Sequence, residues 1–255
     1  MTKVDNLIWE PENFEMETTT VWSFPKRGNW ATHDGKWRGN WSPYIPRNII
    51  MRYSKEGDLV LDQFVGGGTT LVEAKLLGRD IIGIDVNDVA LERCRNKVNF
   101  DHPSAKGRVS IHKGDARQLD FIKNETIDLI CTHPPYANMI QYSKDLNIEI
   151  ASDLSNLGVS DFLDQMKKVA SESFRVLKNG KFCAVLMGDT RQKGHIIPMS
   201  FDVMRIFELA GFKTKEIIIK EQHNCRATGY WKPMSIKHNF LLIAHEYLFV
   251  FKKPS

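Results

Sequence analysis

Just after the apolar run IDLI the chain reads CTHPPYANMIQYS, from Cys131 to Ser143. A proline pair removes two backbone donors and fixes two φ angles, so a strand cannot continue through Pro134 and Pro135. What remains is a rigid turn that presents carbonyls, the imidazole of His133 and the ring of Tyr136. Rigidly aimed carbonyls beside a ring can form the floor of an active site. A neutral imidazole can accept one hydrogen bond, and its ordinary pKa of about 6.5 leaves it mostly neutral at pH 7. Taken alone, the same turn is equally a strand stop with a capping histidine.

A second stretch narrows the choice. LDQFVGGGTT, Leu61 to Thr70, is a glycine-rich turn between an apolar run and a segment of helical composition. Such a turn lets backbone approach a ligand and aims helix N–H groups at a carboxylate or phosphate. No Gly-Lys-Ser/Thr follows, so it is not a phosphate-binding P-loop, and Thr69 and Thr70 rule out GxGxxG spacing. Asp85 ends the next apolar run 17 positions after Gly68, where a carboxylate can accept from both ribose hydroxyls. Asp115, in KGDAR, ends a third run, where an adenine amino group could be bound. Each acid alone is an ordinary strand-end or cap residue. Together they describe a nucleoside crevice at the carboxyl ends of parallel strands, and THPPY ends the next strand beside it.

The elements that must position these residues alternate. DLVLD (58–62), DIIGID (80–85), RVSIHKGD (108–115), TIDLICT (126–132) and KFCAVLMGD (181–189) read as strands. TTLVEAKLLG, NDVALERCRNKV, SDFLDQMKKVASESFRVL and FDVMRIFELAG read as helices between them. Thr70 with Glu73 matches a capping box, Asn87 or Asp88 and Ser160 are N-caps, and Gly78 and Gly180 are stops. KTKEIIIKEQ (213–222) and HEYLFVFKK (245–253) are expected to pair antiparallel as a sheet-edge hairpin. Alternation of this kind implies an α/β fold with a mostly parallel sheet covered on both faces.

At 255 residues and 42% apolar the chain can bury a full core as one domain. Its formal charge of +4 permits an anionic partner without demanding one. Four scattered cysteines form no CxxC or Cys/His grouping, so reduced buried thiols and no metal are expected. There is no run of about 18 apolar residues and no signal-peptide pattern, so a cytoplasmic protein without membrane contact is expected.

FVGGG (64–68), IDV (84–86), GDA (114–116), HPPY (133–136) and HEYLFVF (245–251), in this order, resemble the S-adenosylmethionine-dependent amino-methyltransferases of DNA, which modify N4 of cytosine or N6 of adenine. The resemblance implies a Rossmann-like class I methyltransferase fold, with a seven-stranded, mostly parallel sheet and an antiparallel edge strand. It implies S-adenosylmethionine in a turn formed by Asp62, Phe64, Gly66 and Gly68, with Thr69 and Thr70 near its carboxylate. Asp85 and Val86 would hold the ribose, Asp115 and Ala116 the adenine, and Tyr44 and Pro46 of WSPYIPRNII (41–50) the methionine end. His133, Pro134, Pro135 and Tyr136 would be catalytic, with Tyr136 stacking on a base flipped from double-stranded DNA. The tetrapeptide of the family usually begins with Asp, Asn or Ser, so His133 is a departure. THPPY is loosely like the TSPPY of N4-cytosine enzymes, which puts cytosine N4 ahead of adenine N6. RNA or protein-glutamine methylation, and a non-catalytic binding subunit, are the alternatives.

Target recognition is expected from two basic, aromatic stretches. Lys26, Arg27, Trp30, Lys36 and Arg38 lie in an N-terminal segment, 1–50, packed on a catalytic domain of residues 51–255. Arg226, Tyr230, Trp231 and Lys232 lie in an insert at 223–240; another insert spans 137–158. Neither is large enough to be a separate recognition domain, so these inserts read the target or a partner subunit or second copy supplies that role.

Overall fold

The computed structural model describes residues 7–137, 153–224 and 228–255. An eight-stranded sheet runs through them, formed by β1 (Val21–Trp22), β2 (Leu59–Asp62), β3 (Asp80–Asp85), β4 (Val109–Lys113), β5 (Ile127–Thr132), β6 (Leu177–Met187), β9 (Lys213–Glu221) and β10 (His245–Lys252). Its order is β1-β9-β10-β6-β5-β2-β3-β4. The neighbours from β4 through β6 pair in parallel, as the strand–helix alternation requires. A separate hairpin, β7 (Thr190–Gln192) and β8 (His195–Ile197), follows β6.

Helices α1 (Tyr44–Tyr53), α2 (Thr69–Leu76) and α3 (Asp88–Val98) cover one face. There Ile45, Ile49, Leu71, Leu91 and Cys94 meet Val60, Ile81 and Leu129. On the other face α4 (Val159–Val176) and α5 (Met199–Leu209) bring Phe162, Met166, Val203 and Phe207 against Ile130, Val185 and Phe249. All six residues of β5 are buried. A strand buried along its whole length is covered on both sides, and β5 lies inside the sheet between β6 and β2, with its HPPY turn at its carboxyl end.

The α/β class and the mostly parallel sheet stand; several local readings do not. The last two strands do pair antiparallel, but β10 lies between β6 and β9 and is antiparallel to both, so the antiparallel strand is internal. The edge is β1, which pairs parallel with β9 through Val21 and Ile219 and makes eight strands of the expected seven. Asn87 caps α3 by accepting from the Val89 N–H at 2.9 Å, and Gly78 takes φ +72° after α2, both as read from the sequence. The N-cap of α4 is Gly158, not Ser160, and β6 begins at Leu177, before Gly180. A further helix, α6 (Thr228–Lys237), occupies the insert before β10. It buries no residue and contains Pro233, so it has no apolar stripe to announce it.

The capping box is not formed. Glu73 is fully buried and accepts from Trp30 Nε1 at 2.7 Å and Arg47 Nη1 at 3.0 Å, with His33 Nε2 at 2.7 Å. This carboxylate ties the N-terminal segment to α1 and α2, and Glu10 also pairs with Arg47. A Glu73→Gln change presents an amide NH2 to donors that need an acceptor. It should destabilise the fold by about 2 kcal/mol, read by denaturant unfolding.

Candidate active site

The carboxyl ends of β2, β3, β4 and β5 open into one cleft that is continuous with solvent. Its floor is the turn after β2. Gly66 and Gly68 take φ +44° and +79°, which a side chain would strain, so glycine is needed for this path. The Gly66 N–H donates to Asp85 Oδ2 at 2.9 Å, and Asn87 N–H donates to Asp85 Oδ1 at 3.0 Å. Asp85 thus pins the glycine turn to the end of β3 with one lone pair of each oxygen and keeps the others for a ligand. Burial pushes its carboxyl up to about 6 against those two bonds, and the charges of Asp62 and Asp153 add to the rise.

Asp62 lines the floor beside it and accepts from Thr132 Oγ1 at 2.8 Å and the Phe64 N–H at 3.1 Å. Burial raises it to about 6 as well. Phe64, Val86 and Ala116 line the walls. Asp115 lines the far end, where Arg117 clasps both its oxygens at 2.5 to 3.0 Å. Burial opposes the ionised form of Asp115, but the Arg117 bonds outweigh it and hold the carboxyl below its ordinary value.

The roof comes from the N-terminal segment, through Trp37, Asn40 and Trp41. Arg27 Nη1 and Nη2 hold the carbonyls of Asn40 and Trp41 at 2.6 Å each, and Thr69 Oγ1 donates to Asn40 Oδ1 at 2.6 Å. The Asn40 Nδ2 is buried with no partner. A Cβ on Gly67 would sit 2.7 Å from Asn40 Nδ2 and 2.9 Å from Trp37 Cβ. Gly67→Ala should therefore lift this roof from the turn and weaken cofactor binding about tenfold, measured by calorimetry.

His133 and Pro135 form the remaining wall. The His133 ring stacks on Trp41 with centroids 5.4 Å apart, and its Nε2 lies 2.9 Å from the Tyr136 hydroxyl. That hydroxyl donates to Glu246 Oε1 at 2.7 Å, and Lys220 Nζ donates to Glu246 Oε2 at 2.8 Å. Burial lowers the His133 pKa to about 4, with Glu246 pulling upward and Lys220 downward. His133 is thus neutral at pH 7. Cys131 is fully buried, and burial drives its thiol well above the ordinary range, so it is a packed thiol.

Several expected placements change. Tyr44 stacks on Phe24 at 5.2 Å and meets Trp30 edge-on, and Pro46 is buried in α1; neither lines the cleft. Thr69 and Thr70 are buried beneath the turn. Tyr136 is only 7% exposed, and a Cβ on Gly188 would come within 3.0 Å of its ring. Its face is therefore closed to a stacking base. Trp30 is buried on Glu73 and Arg27 is spent on backbone carbonyls, so neither is offered to nucleic acid. Lys26, Lys36 and Arg38 are exposed, as are Tyr230, Trp231 and Lys232 on α6; Arg226 lies outside the described residues. So does most of the insert at 137–158, although Asp153 and Leu154 return to line the cleft. Asn40, Glu246 and Lys220 were not foreseen. Among the described residues no cluster of His, Cys, Asp or Glu could hold a metal, and no helix is long and apolar enough to cross a membrane.

S-adenosylmethionine-dependent methyltransferases share this open, mostly parallel sheet with a crevice at its strand ends. A solved methyltransferase of that kind from Methanosarcina mazei superposes with a TM-score of 0.55 at 14% identity, over 81% of this chain and 97% of that one. A general methyltransferase domain pattern also matches residues 60–154. The chain belongs to the N6/N4 DNA methylase family, which matches residues 3–95 and 127–255. Type II methyltransferase M2.DpnII of Streptococcus pneumoniae is 46% identical over 59 residues, which are 23% of this chain and 22% of that protein. A tRNA (guanine(10)-N2)-dimethyltransferase of Pyrococcus abyssi is 26% identical over 174 residues, 67% of this chain and 43% of that one. The chain thus spans less than half the length of either relative.

S-adenosylmethionine is the cofactor of this fold and family. The cleft fits it on its own terms. Asp85 keeps lone pairs for a ribose diol, and the orphaned Asn40 Nδ2 offers a donor beside the glycine turn for a carboxylate. Phe64, Val86 and Ala116 offer apolar walls for a purine.

Proposed function

We propose that this protein transfers a methyl group from S-adenosylmethionine to the exocyclic amine of a DNA base, cytosine N4 before adenine N6. The observation that carries the reading is the neutral His133 on the wall of the cofactor cleft, at the head of a rigid diproline turn. An exocyclic base amine is a poor nucleophile because its lone pair is delocalised into the ring. Acceptors that take its hydrogens favour a pyramidal nitrogen with a usable lone pair. His133 and the Pro134 carbonyl are such acceptors, held by proline geometry and by the stack on Trp41. The bound cofactor supplies an electrophilic methyl on a sulfonium.

The exposed Lys36, Lys232, Tyr230 and Trp231 supply cations and ring faces of the sort that hold nucleic acid. The preference for cytosine N4 rests on the THPPY form. The relative from Pyrococcus abyssi bears a name that puts its methyl groups on an exocyclic base amine of tRNA, which makes RNA the second reading.

The test is nucleoside mass spectrometry of mixed-sequence duplex DNA, single-stranded DNA and tRNA incubated with labelled S-adenosylmethionine and the protein. Label in N4-methylcytosine or N6-methyladenine supports the proposal and selects the base. Label only in tRNA guanine moves the activity to RNA. Cofactor binding with no label anywhere would make the chain a binding subunit.

A further inference from the structure

We infer that Tyr136, Glu246 and Lys220 are positioning residues that fix the proton of His133 on Nε2, so that Nδ1 is a permanent acceptor and the base for the target amine. The reading rests on the proposed amine methylation for its chemical step, but not for the tautomer. Glu246 is the anchor. Burial alone would make its carboxyl harder to ionise, but the charge of Lys220 and the bonds from Lys220 and Tyr136 outweigh burial and hold it below the ordinary carboxylate range. An ionised carboxylate only accepts, so the single hydroxyl proton of Tyr136 points to Glu246 Oε1, 2.7 Å away. Toward His133 Nε2, 2.9 Å away, its oxygen must then accept and the imidazole must donate. A neutral ring that donates from Nε2 carries its lone pair on Nδ1.

The register of the last strands builds this relay. Glu246 and Lys220 are paired residues of β10 and β9; Glu246 reaches the Tyr136 hydroxyl, and Lys220 holds Glu246 from the neighbouring strand. The charged groups that face His133 are Glu246 of β10 and Lys220 of β9; Trp41, on its stacked face, brings none. The step balances within these residues. The target nitrogen forms the N–CH3 bond as the S–CH3 bond breaks, its electron pair staying on sulfur. One N–H proton passes to Nδ1, and the resulting imidazolium keeps its Nε2–H on Tyr136, with Glu246 as the facing negative charge. Product release returns the proton to water. Histidine at this position thus does what a simple acceptor side chain does, and also removes the proton.

The experiment is long-range proton–nitrogen spectroscopy of the whole 15N-labelled protein, with the His133 signals identified by their loss in His133→Asn. The wild-type ring should be neutral with its proton on Nε2 from pH 7 down to pH 5. Tyr136→Phe keeps the ring packed under Gly188 and removes the link. It should mix the two tautomers and lower kcat about tenfold or more, with KM for nucleic acid little changed. Glu246→Gln should keep the tautomer, since the amide oxygen still accepts. With the facing charge gone, the acid limb of its kcat profile should move to lower pH, which a purely structural role would not cause. Melting curves within a few degrees of wild type separate these effects from misfolding. A wild-type ring protonated on Nδ1, or a Tyr136→Phe protein with unchanged spectra and kcat, overturns the inference. An Nε2–H ring in a protein that methylates no substrate supports the tautomer and sinks the functional reading instead.

Discussion

Asp85→Ala should weaken S-adenosylmethionine binding about 100-fold, measured by calorimetry, while the folded sheet persists. Two effects combine. The ribose loses its acceptor, and hydrogen bonds to a charged group contribute about 1.5–3 kcal/mol each. The Gly66 N–H also loses its partner, so the turn that shapes the floor is no longer pinned to β3. Asp85→Asn separates the two, because its amide oxygen can still hold one of the backbone donors. The wild type should show the same dependence through pH. Burial raises the Asp85 carboxyl to about 6, so cofactor affinity should fall as pH drops through 6, whereas the Asp85→Asn variant should keep only the smaller dependence that Asp62, also raised to about 6, contributes. Stability runs the other way. A carboxyl raised in the folded state above its unfolded value of about 3.8 stabilises the apo protein at low pH, and that contribution is lost as pH rises through 6. Cofactor binding therefore draws on a carboxylate that is unfavourable for the empty protein, a common arrangement at functional sites. An affinity unchanged between pH 7 and 5 would remove Asp85 from the ribose role.

What could be read from the sequence was short-ranged. The glycine turn, Asp85 and the diproline turn each lie within a few residues of a strand end, so strand periodicity and turn chemistry locate them without tertiary knowledge. The parts that escaped depend on contacts far apart in the chain. Glu246 reaches Tyr136 across 110 positions because β10 is inserted beside β6, and a terminal strand pair does not announce where it enters a sheet. Glu73 shows how a local rule fails: its spacing from Thr70 fits a capping box, but three buried donors from other elements claim the carboxylate. Trp30 fails for the complementary reason, since its indole is one of those donors and is not a surface platform. Tyr44 illustrates a third limit. The segment containing it does border the cleft, but through Trp37, Asn40 and Trp41, because α1 begins at Tyr44 and carries it into an aromatic stack. No helix was read in WSPYIPRNII, and α1 sets the direction of every side chain it carries.

His133→Ala should lower kcat about 100- to 1,000-fold with less than a threefold change in the Kd for S-adenosylmethionine, by single-turnover kinetics and calorimetry respectively. His133 lines the cleft at the end of β5, two strands from the β3 end that carries Asp85, so in the proposed reaction it meets the target amine rather than the cofactor's ribose. Removing it leaves the Pro134 carbonyl as the remaining acceptor at the turn, and the amine then keeps its planar, delocalised form for longer along the reaction path. It also removes the ring that stacks on Trp41, so a control must separate a shifted roof from a lost acceptor. His133→Asn supplies that control: its carbonyl accepts a hydrogen bond but cannot take up a proton. If acceptance alone matters, His133→Asn should recover most of the activity that His133→Ala loses. If proton removal matters as well, it should stay at least tenfold below wild type at pH 7. Equal activity of wild type and His133→Ala would mean that the amine binds elsewhere and that the diproline turn is a strand stop after all.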